Sequence, residues 1–184
     1  MKNLLLGCGP RPIHPQHILA MEKIAPTADL SEWVLIDKYV KEAGILNYDA
    51  TKLPYKNEEI DVVYSSHLLE HFGFKESQSA LMEWFRVLRP EGKIFINVPD
   101  MEWLAEEMLR LGMEVAPRSR VFDTQEKLME VVYGNQDHEG EFHKSGYTKF
   151  SLGALLMKIG FKNIEIEQIY EAHEMGVLIA TATK

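Results

Sequence analysis

Hydrophobic residues in this chain alternate between short unbroken runs and longer stretches with helical spacing, and that alternation predicts its elements. A strand covered on both faces reads as a continuous apolar run. Leu4–Leu6, Trp33–Asp37, Ile45–Asp49, Asp61–Ser66 and Lys93–Pro99 read this way, and Ile164–Ile169 with Val177–Ala182 read as a closing pair. Between them, apolar residues recur at spacings of three and four, which places them on one face of a helix. The first such stretch begins near Pro15 and runs to about Ala25, after Pro10, Pro12 and Pro15 have delayed it. The others are Glu76–Leu88, Met101–Leu111, Thr124–Val132 and Ser151–Ile159, the last closed by Gly160. Strands alternating with helices predict an α/β fold with a doubly wound, mostly parallel sheet. The closing pair, near in sequence, predicts an antiparallel strand at one sheet edge.

The 184 residues suit one domain with a sizeable core, and no repeat, linker or low-complexity segment divides them. Hydrophobic residues make up 46% of the chain, yet no run approaches the roughly 20 residues of a membrane span. Met1-Lys2-Asn3 leads straight into the first strand, so no signal peptide is expected. Cys8 is the sole cysteine, which rules out an internal disulfide and a cysteine zinc cage. These features predict a cytoplasmic protein. A net charge of -8 argues against bulk nucleic acid as a partner, because Arg118, Arg120 and the scattered lysines form no basic stripe.

Candidate chemistry starts where the first strand stops, at Gly7-Cys8-Gly9-Pro10. Glycines there allow a sharp turn and let a ligand approach bare backbone. In open α/β sheets, ligands lie beyond the carboxyl ends of the strands. Asp37 ends the second strand about 30 residues later, where an acid can accept hydrogen bonds from ribose hydroxyls. Taken separately, an ordinary strand-to-helix turn and a solvated strand-end carboxylate remain open for these two features.

The ordered set is more specific. Leu6-Gly7-Cys8-Gly9, Ile36-Asp37, Tyr48-Asp49-Ala50-Thr51-Lys52-Leu53-Pro54-Tyr55, Asp61–His71 and Glu83–Lys93 together resemble the class I S-adenosylmethionine-dependent methyltransferases over about Leu4 to Val98. The resemblance implies a Rossmann-like methyltransferase sheet with S-adenosylmethionine as cofactor. Gly7, Cys8 and Gly9 would pass the methionine part, and Asp37, followed by Lys38, would hold the ribose diol. Asp49 would accept from the adenine amino group, and Ala50 and Thr51 would line the ring. Ser66 and His67 would lie near the cofactor's amino-acid end. The pattern departs from the family in two places. Asn3-Leu4-Leu5 carries no early acid, and Pro10-Arg11 replaces a third glycine, leaving Arg11 as a candidate partner for the cofactor carboxylate. A cofactor half over about residues 1–98, an acceptor-side insertion over 99–148 and a helix with a strand pair over 149–184 would divide the single domain.

Two further clusters carry groups that can move protons. His67-Leu68-Leu69-Glu70-His71 also matches the inverted zinc-protease motif, in which histidines four apart share a helical face. Ser65-Ser66 leads into it directly from a strand and Gly73 follows closely, so a zinc hydrolase ranks third and no metal is assigned. The segment 134–147 carries His138 and His143. A solvated connection is the plain alternative there, but His143 followed by Gly146-Tyr147-Thr148 resembles the family. His71 and His143 are therefore the candidate catalytic bases. His14, His17 and His173 are taken as surface or packing residues.

The predicted function is methyl transfer to a small metabolite, sugar or protein side chain, with no membrane partner. The chain lacks helices ahead of its first strand, so Pro99–Thr148, a second copy or a partner subunit would have to cover the acceptor. A non-catalytic cofactor-binding subunit of the same fold is the alternative.

Overall fold

The computed structural model describes residues 2–10, 12, 15–24, 30–113, 125–170 and 176–184. Arg11, His14, Ala25, Arg118, Arg120, Thr124 and His173 lie outside them, as does the side chain of His17. Among the described residues, no helix is long and apolar enough to cross a membrane.

Strand β1 (Asn3–Leu6) is fully buried along its length, as its unbroken apolar run requires. It pairs in parallel with β2 (Trp33–Ile36) on one side and β4 (Ile60–Ser66) on the other. The short β3 (Ile45–Leu46) extends the sheet beyond β2, and β5 (Leu88–Pro99) extends it beyond β4. The last two strands, β6 (Lys162–Tyr170) and β7 (Gly176–Thr183), complete a seven-stranded order β3-β2-β1-β4-β5-β7-β6. Both contacts of β7 are antiparallel, so the reversed strand lies one place in from the edge and β6 forms the edge itself. The expected mostly parallel α/β sheet with an antiparallel C-terminal pair is present.

Alternate residues of β1 face opposite layers. Leu4 and Leu6 join a large core with Trp84 of α2 (Phe74–Val87) and Leu152 and Leu156 of α5 (Lys149–Ile159). Leu5 instead meets Met21 of α1 (Pro15–Ile24), together with Trp33 and Tyr64. Helices α3 (Met101–Met113) and α4 (Gln125–Tyr133) share a smaller cluster around Trp103, Leu104 and Leu128. Thr148 caps α5 by accepting the Ser151 amide at 3.1 Å, which starts that helix two residues before the apolar spacing suggests.

Strands β3 and β5 depart from their apolar runs in opposite directions, one shorter and one longer. The chain leaves the sheet after Leu46, where Asn47 Nδ2 donates to the carbonyls of Lys38 at 2.6 Å and Asp37 at 3.1 Å. An asparagine side chain therefore replaces the ladder that a longer β3 would have formed. In contrast, β5 begins directly after α2, and its register with β4 shifts between Ile60 and Val62.

Helix α2 also fixes the loop that follows β3. Trp84 Nε1 donates to the Ala50 carbonyl at 2.9 Å, and Glu83 Oε1 accepts the Leu53 amide at 2.8 Å. Arg86 Nη2 donates to the Tyr55 carbonyl at 2.8 Å and pairs with Glu83 at 2.7 Å. Three side chains within four residues thus clamp a loop about 30 positions away. Trp84 has no exposed surface and Ala50 is buried, so removing that donor leaves a largely buried carbonyl without its hydrogen bond. Trp84→Phe should cost about 1–3 kcal/mol in urea unfolding for this reason; an unchanged midpoint would remove Trp84 from the clamp.

The hydrogen bonds from Arg86 hold the Glu83 carboxyl below its usual range, against the effect of partial burial. A depressed carboxylate contributes stability above its unfolded value and loses it as pH falls through the folded value. The stability difference between wild type and Glu83→Gln should therefore be fully present at neutral pH and shrink as pH falls below about 4.5. Denaturant midpoints across pH 3 to 7 (about one point per unit) check this direction.

Candidate functional site

The sheet order brings the loops after β1, β2 and β4 to one rim, and a cavity of about 290 Å³ lies across them. Gly7, Gly9, Asp37, Lys38, Asp49, Ala50, His67 and His71 all border it. Gly7 holds a φ of +68°, and a Cβ there would lie 3.1 Å from the Leu68 side chain. Its amide donates to the Ile36 carbonyl at 2.8 Å, tying the turn to the end of β2. Space above the next glycine is open, since a Cβ on Gly9 would meet nothing within 4 Å.

Asp37 organises this turn. Its Oδ2 accepts the Gly9 amide at 3.0 Å, and its Oδ1 accepts the amides of Tyr39 at 2.8 Å and Val40 at 3.1 Å. A carboxylate offers about four lone-pair directions. Three backbone donors leave room for about one more, so a diol engaging both hydroxyls here must displace an amide.

Asp49 is similarly engaged. Oδ2 pairs with Lys38 Nζ at 2.8 Å, while Oδ1 accepts from the Thr51 amide at 2.9 Å and hydroxyl at 2.7 Å. Partial burial pushes this carboxyl up, but the bonds from Lys38 and Thr51 outweigh it and hold the group below its ordinary value. Lys38 is raised in turn, chiefly by its bond to Asp49. Thr51 therefore shapes Asp49 and is not itself in the cavity lining.

Cys8 and Ser66 also stand back from the cavity. Cys8 buries its thiol among Leu5, Met21 and Trp33, with Sγ donating to the Gly9 carbonyl at 3.4 Å. Ser66 is buried as the last residue of β4, opposite Asn97. His67 then takes a left-handed backbone, φ +48°, uncommon for a residue with a side chain. That reversal turns the chain so that Leu68 packs over Gly7.

The turn also overturns the helical zinc motif. Residues Leu69–His71 form a single 3-10 turn, not an α-helix, so His67 and His71 do not share a helical face. His67 Nδ1 instead lies 3.2 Å from Glu70 Oε1. Burial raises the Glu70 carboxyl, but the hydrogen bond and the adjacent imidazoles of His67 and His71 bring it below its usual range.

His71 meets a residue 72 positions away. Its ring lies edge-on to that of His143, with centroids 4.7 Å apart. Two amides, from Lys144 at 2.8 Å and Ser145 at 3.1 Å, donate to the Glu70 carbonyl and strap the segments together. Tyr147 anchors the strap in the core by donating to Ser77 Oγ at 2.8 Å. Burial, with His143 beside it, pushes the His71 imidazole below its ordinary value despite Glu70. His143 borders a second cavity, of about 210 Å³, with Glu70, Pro99, Met101 and Val131. Lys144 borders both cavities.

Matching these features, the model of a family described as a methyltransferase domain covers residues 5–96. The chain belongs to this methyltransferase domain family. No match was found among curated proteins. Among solved structures, it is similar to the 1,6-didemethyltoxoflavin N1-methyltransferase of Burkholderia thailandensis, determined with 1,6-didemethyltoxoflavin and S-adenosylhomocysteine bound. The identity is 14% and the TM-score 0.62, over 99% of this chain and 70% of that one. A Methanosarcina mazei S-adenosylmethionine-dependent methyltransferase is similar at 18% identity and TM-score 0.59, over 100% and 92% of the two chains. One from Archaeoglobus fulgidus gives 14% and 0.60, over 100% and 86%. At these identities the likeness is one of fold.

Several residues of this methyltransferase-family site carry no motif. His138, Gly140 and Glu141 border the first cavity, and the His138 ring lies 5.4 Å from that of Tyr39. Only the path of the chain brings them there, and Gly134 sets that path. With φ at +77°, it ends α4 so tightly that a Cβ would lie 1.7 Å from the Glu141 carbonyl oxygen. The His143 amide can then donate to the Tyr133 carbonyl at 3.0 Å. Gly134→Ala should cost roughly 1–2 kcal/mol from backbone conformation alone, and more from the displaced strand. Faster amide exchange at His143 should accompany the loss, and unchanged exchange there would free the strap from Gly134.

Proposed function

We propose that the protein transfers the methyl group of S-adenosylmethionine to a small-molecule acceptor entering the second cavity. The observation that carries this reading is the rim cavity itself, where a glycine turn, the Asp37 carboxylate and the Asp49–Ala50 edge converge. Its volume of about 290 Å³ falls just below the usual range for small-ligand sites, roughly 300–1,000 Å³. Asp37, Asp49, Glu76, Glu139 and Glu141 outnumber Lys38 and Lys144 around it. That balance suits a ligand carrying a sulfonium and an ammonium. Membership of the family and the bound S-adenosylhomocysteine of the Burkholderia neighbour support the same cofactor.

In this reading Asp37 receives a ribose hydroxyl and Asp49, once Lys38 moves aside, receives the adenine amino group. Gly7 and Gly9 present backbone to the methionine part, Ala50 lines the adenine edge with Thr51 acting on it through Asp49, and His67 borders the amino-acid end. Methyl transfer from a sulfonium is an in-line displacement, and alignment within about 3–3.5 Å supplies much of the acceleration. An acceptor hydroxyl or ammonium must also lose a proton, and in this reading His71 or His143, whose rings are in contact, accepts it.

Calorimetric titration with S-adenosylhomocysteine should give about one site per chain. Asp37→Ala should weaken it at least ~10-fold, because the variant loses both a ribose acceptor and the anchor of the Gly9 amide. A folded protein that binds neither S-adenosylhomocysteine nor S-adenosylmethionine would overturn the proposal.

A further inference from the structure

Glu70, His71 and His143 have a property that the methyl-transfer reading does not require. One ligand atom from each can be chosen so that all lie within 4.8 Å of one another. Both imidazoles are oriented by backbone carbonyls. His71 Nδ1 lies 3.2 Å from the Phe142 oxygen and His143 Nδ1 lies 2.7 Å from the Val131 oxygen. A carbonyl can only accept, so in the neutral form of each ring Nδ1 carries the proton and Nε2 keeps the lone pair. Metal-bound histidines are commonly held in this way, with the far ring nitrogen donating to a carbonyl or carboxylate.

The third group has an independent peculiarity. Glu70 is 1% exposed, and its Oε2 is a buried oxygen with no hydrogen-bond partner among the described residues. Leaving such an acceptor unpaired costs free energy. A positive ion coordinated by that oxygen would remove the deficit.

We propose that Glu70, His71 and His143 form a binding site for one divalent transition-metal ion in the wall between the two cavities. Two imidazoles and one carboxylate suit a first-row ion such as Zn²⁺ or Co²⁺. With bonds of about 2.0–2.2 Å, a tetrahedral site needs ligand atoms roughly 3.4 Å apart. The three groups therefore close by on the order of 1 Å through side-chain rotation when the ion enters. Three protein ligands leave at least one position open.

The site deepens the methyl-transfer reading and rests on it for its chemical role. A metal-bound histidine cannot also accept a proton, so in the loaded protein the ion takes over activation of the acceptor. An acceptor hydroxyl in the open position would release its proton to solvent, because coordination lowers its pKa. Its oxygen electron pair would then form the bond to the methyl carbon as the carbon–sulfur bond breaks, and S-adenosylhomocysteine would leave as a neutral sulfide.

The binding itself can be tested without turnover. Untagged full-length protein, stripped with chelator, is titrated with Zn²⁺ by calorimetry and with Co²⁺ by visible absorption. One ion per chain is expected, with Co²⁺ bands of a nitrogen–oxygen site. His143→Ala and Glu70→Gln should each weaken binding at least ~10-fold, while His138→Ala leaves it unchanged. His138 is the control because it pairs with Glu141 at 3.2 Å in an exposed cluster that could hold ions adventitiously. Circular dichroism confirms that each variant is folded, and His143→Ala carries the test if Glu70→Gln is not. Absence of stoichiometric binding by the wild type would overturn the site, as would binding that survives His143→Ala or is lost in His138→Ala. S-adenosylhomocysteine titration of the stripped protein runs in parallel, so failure of the metal site and failure of the cofactor site read out separately.

Discussion

Everything at the candidate site depends on β1 lying between two parallel neighbours. Leu4, Leu5 and Leu6 have no exposed surface and pack against helices on both faces of the sheet. Such a strand has no solvent side, so its backbone groups are satisfied by its neighbours, and it pairs residue for residue with β2 and β4. All three strands then end together, and the turns at Gly7, Asp37 and His67 meet at one rim. Parallel neighbours at the centre of an open sheet create this crevice by topology, before any particular side chain contributes.

Two long-range tethers turn the crevice into a site. On one side, Glu83, Trp84 and Arg86 hold the loop that carries Asp49 and Ala50. On the other, the amides of Lys144 and Ser145 bind the Glu70 carbonyl and bring His143 to His71. Both tethers act on backbone groups of loops that would otherwise need water or a ligand to satisfy them. They hold the site's carboxylates and imidazoles in place without using those groups themselves.

The result is two cavities separated by a thin polar wall. Carboxylates dominate the lining of the first, and Glu70 and His143 border the second. His71 borders the first cavity and His143 the second, and their rings touch edge-on. Beside them is the buried Glu70 oxygen that has no hydrogen-bond partner among the described residues. The proposed proton transfer and the proposed metal ligation would both draw on these side chains, and the orientation of the imidazoles by the carbonyls of Phe142 and Val131 would serve either use.

The sequence by itself determined the α/β alternation, the strand that ends at Gly7 and the family resemblance carried by residues up to about Val98. These are local properties: an apolar run, a helical spacing or a glycine after a strand reports on a few neighbouring residues. It also indicated Asp37 as an acid at a strand end, and Asp49, His71 and His143 through the family resemblance. Tertiary structure decided what no local pattern records. It shortened β3 through the Asn47 amide, put β7 one strand in from the edge, and turned Cys8 and Ser66 away from the cavity. His138 entered the first cavity and His143 the second, although both come from one polar segment. The zinc motif failed for a related reason: a left-handed His67 and a single 3-10 turn separated two histidines that helical spacing would have aligned. In their place the fold joined Glu70 and His71 to His143, because the strap that unites them consists of backbone hydrogen bonds between segments some 70 residues apart. Bonds of that kind leave no periodicity in the chain that forms them.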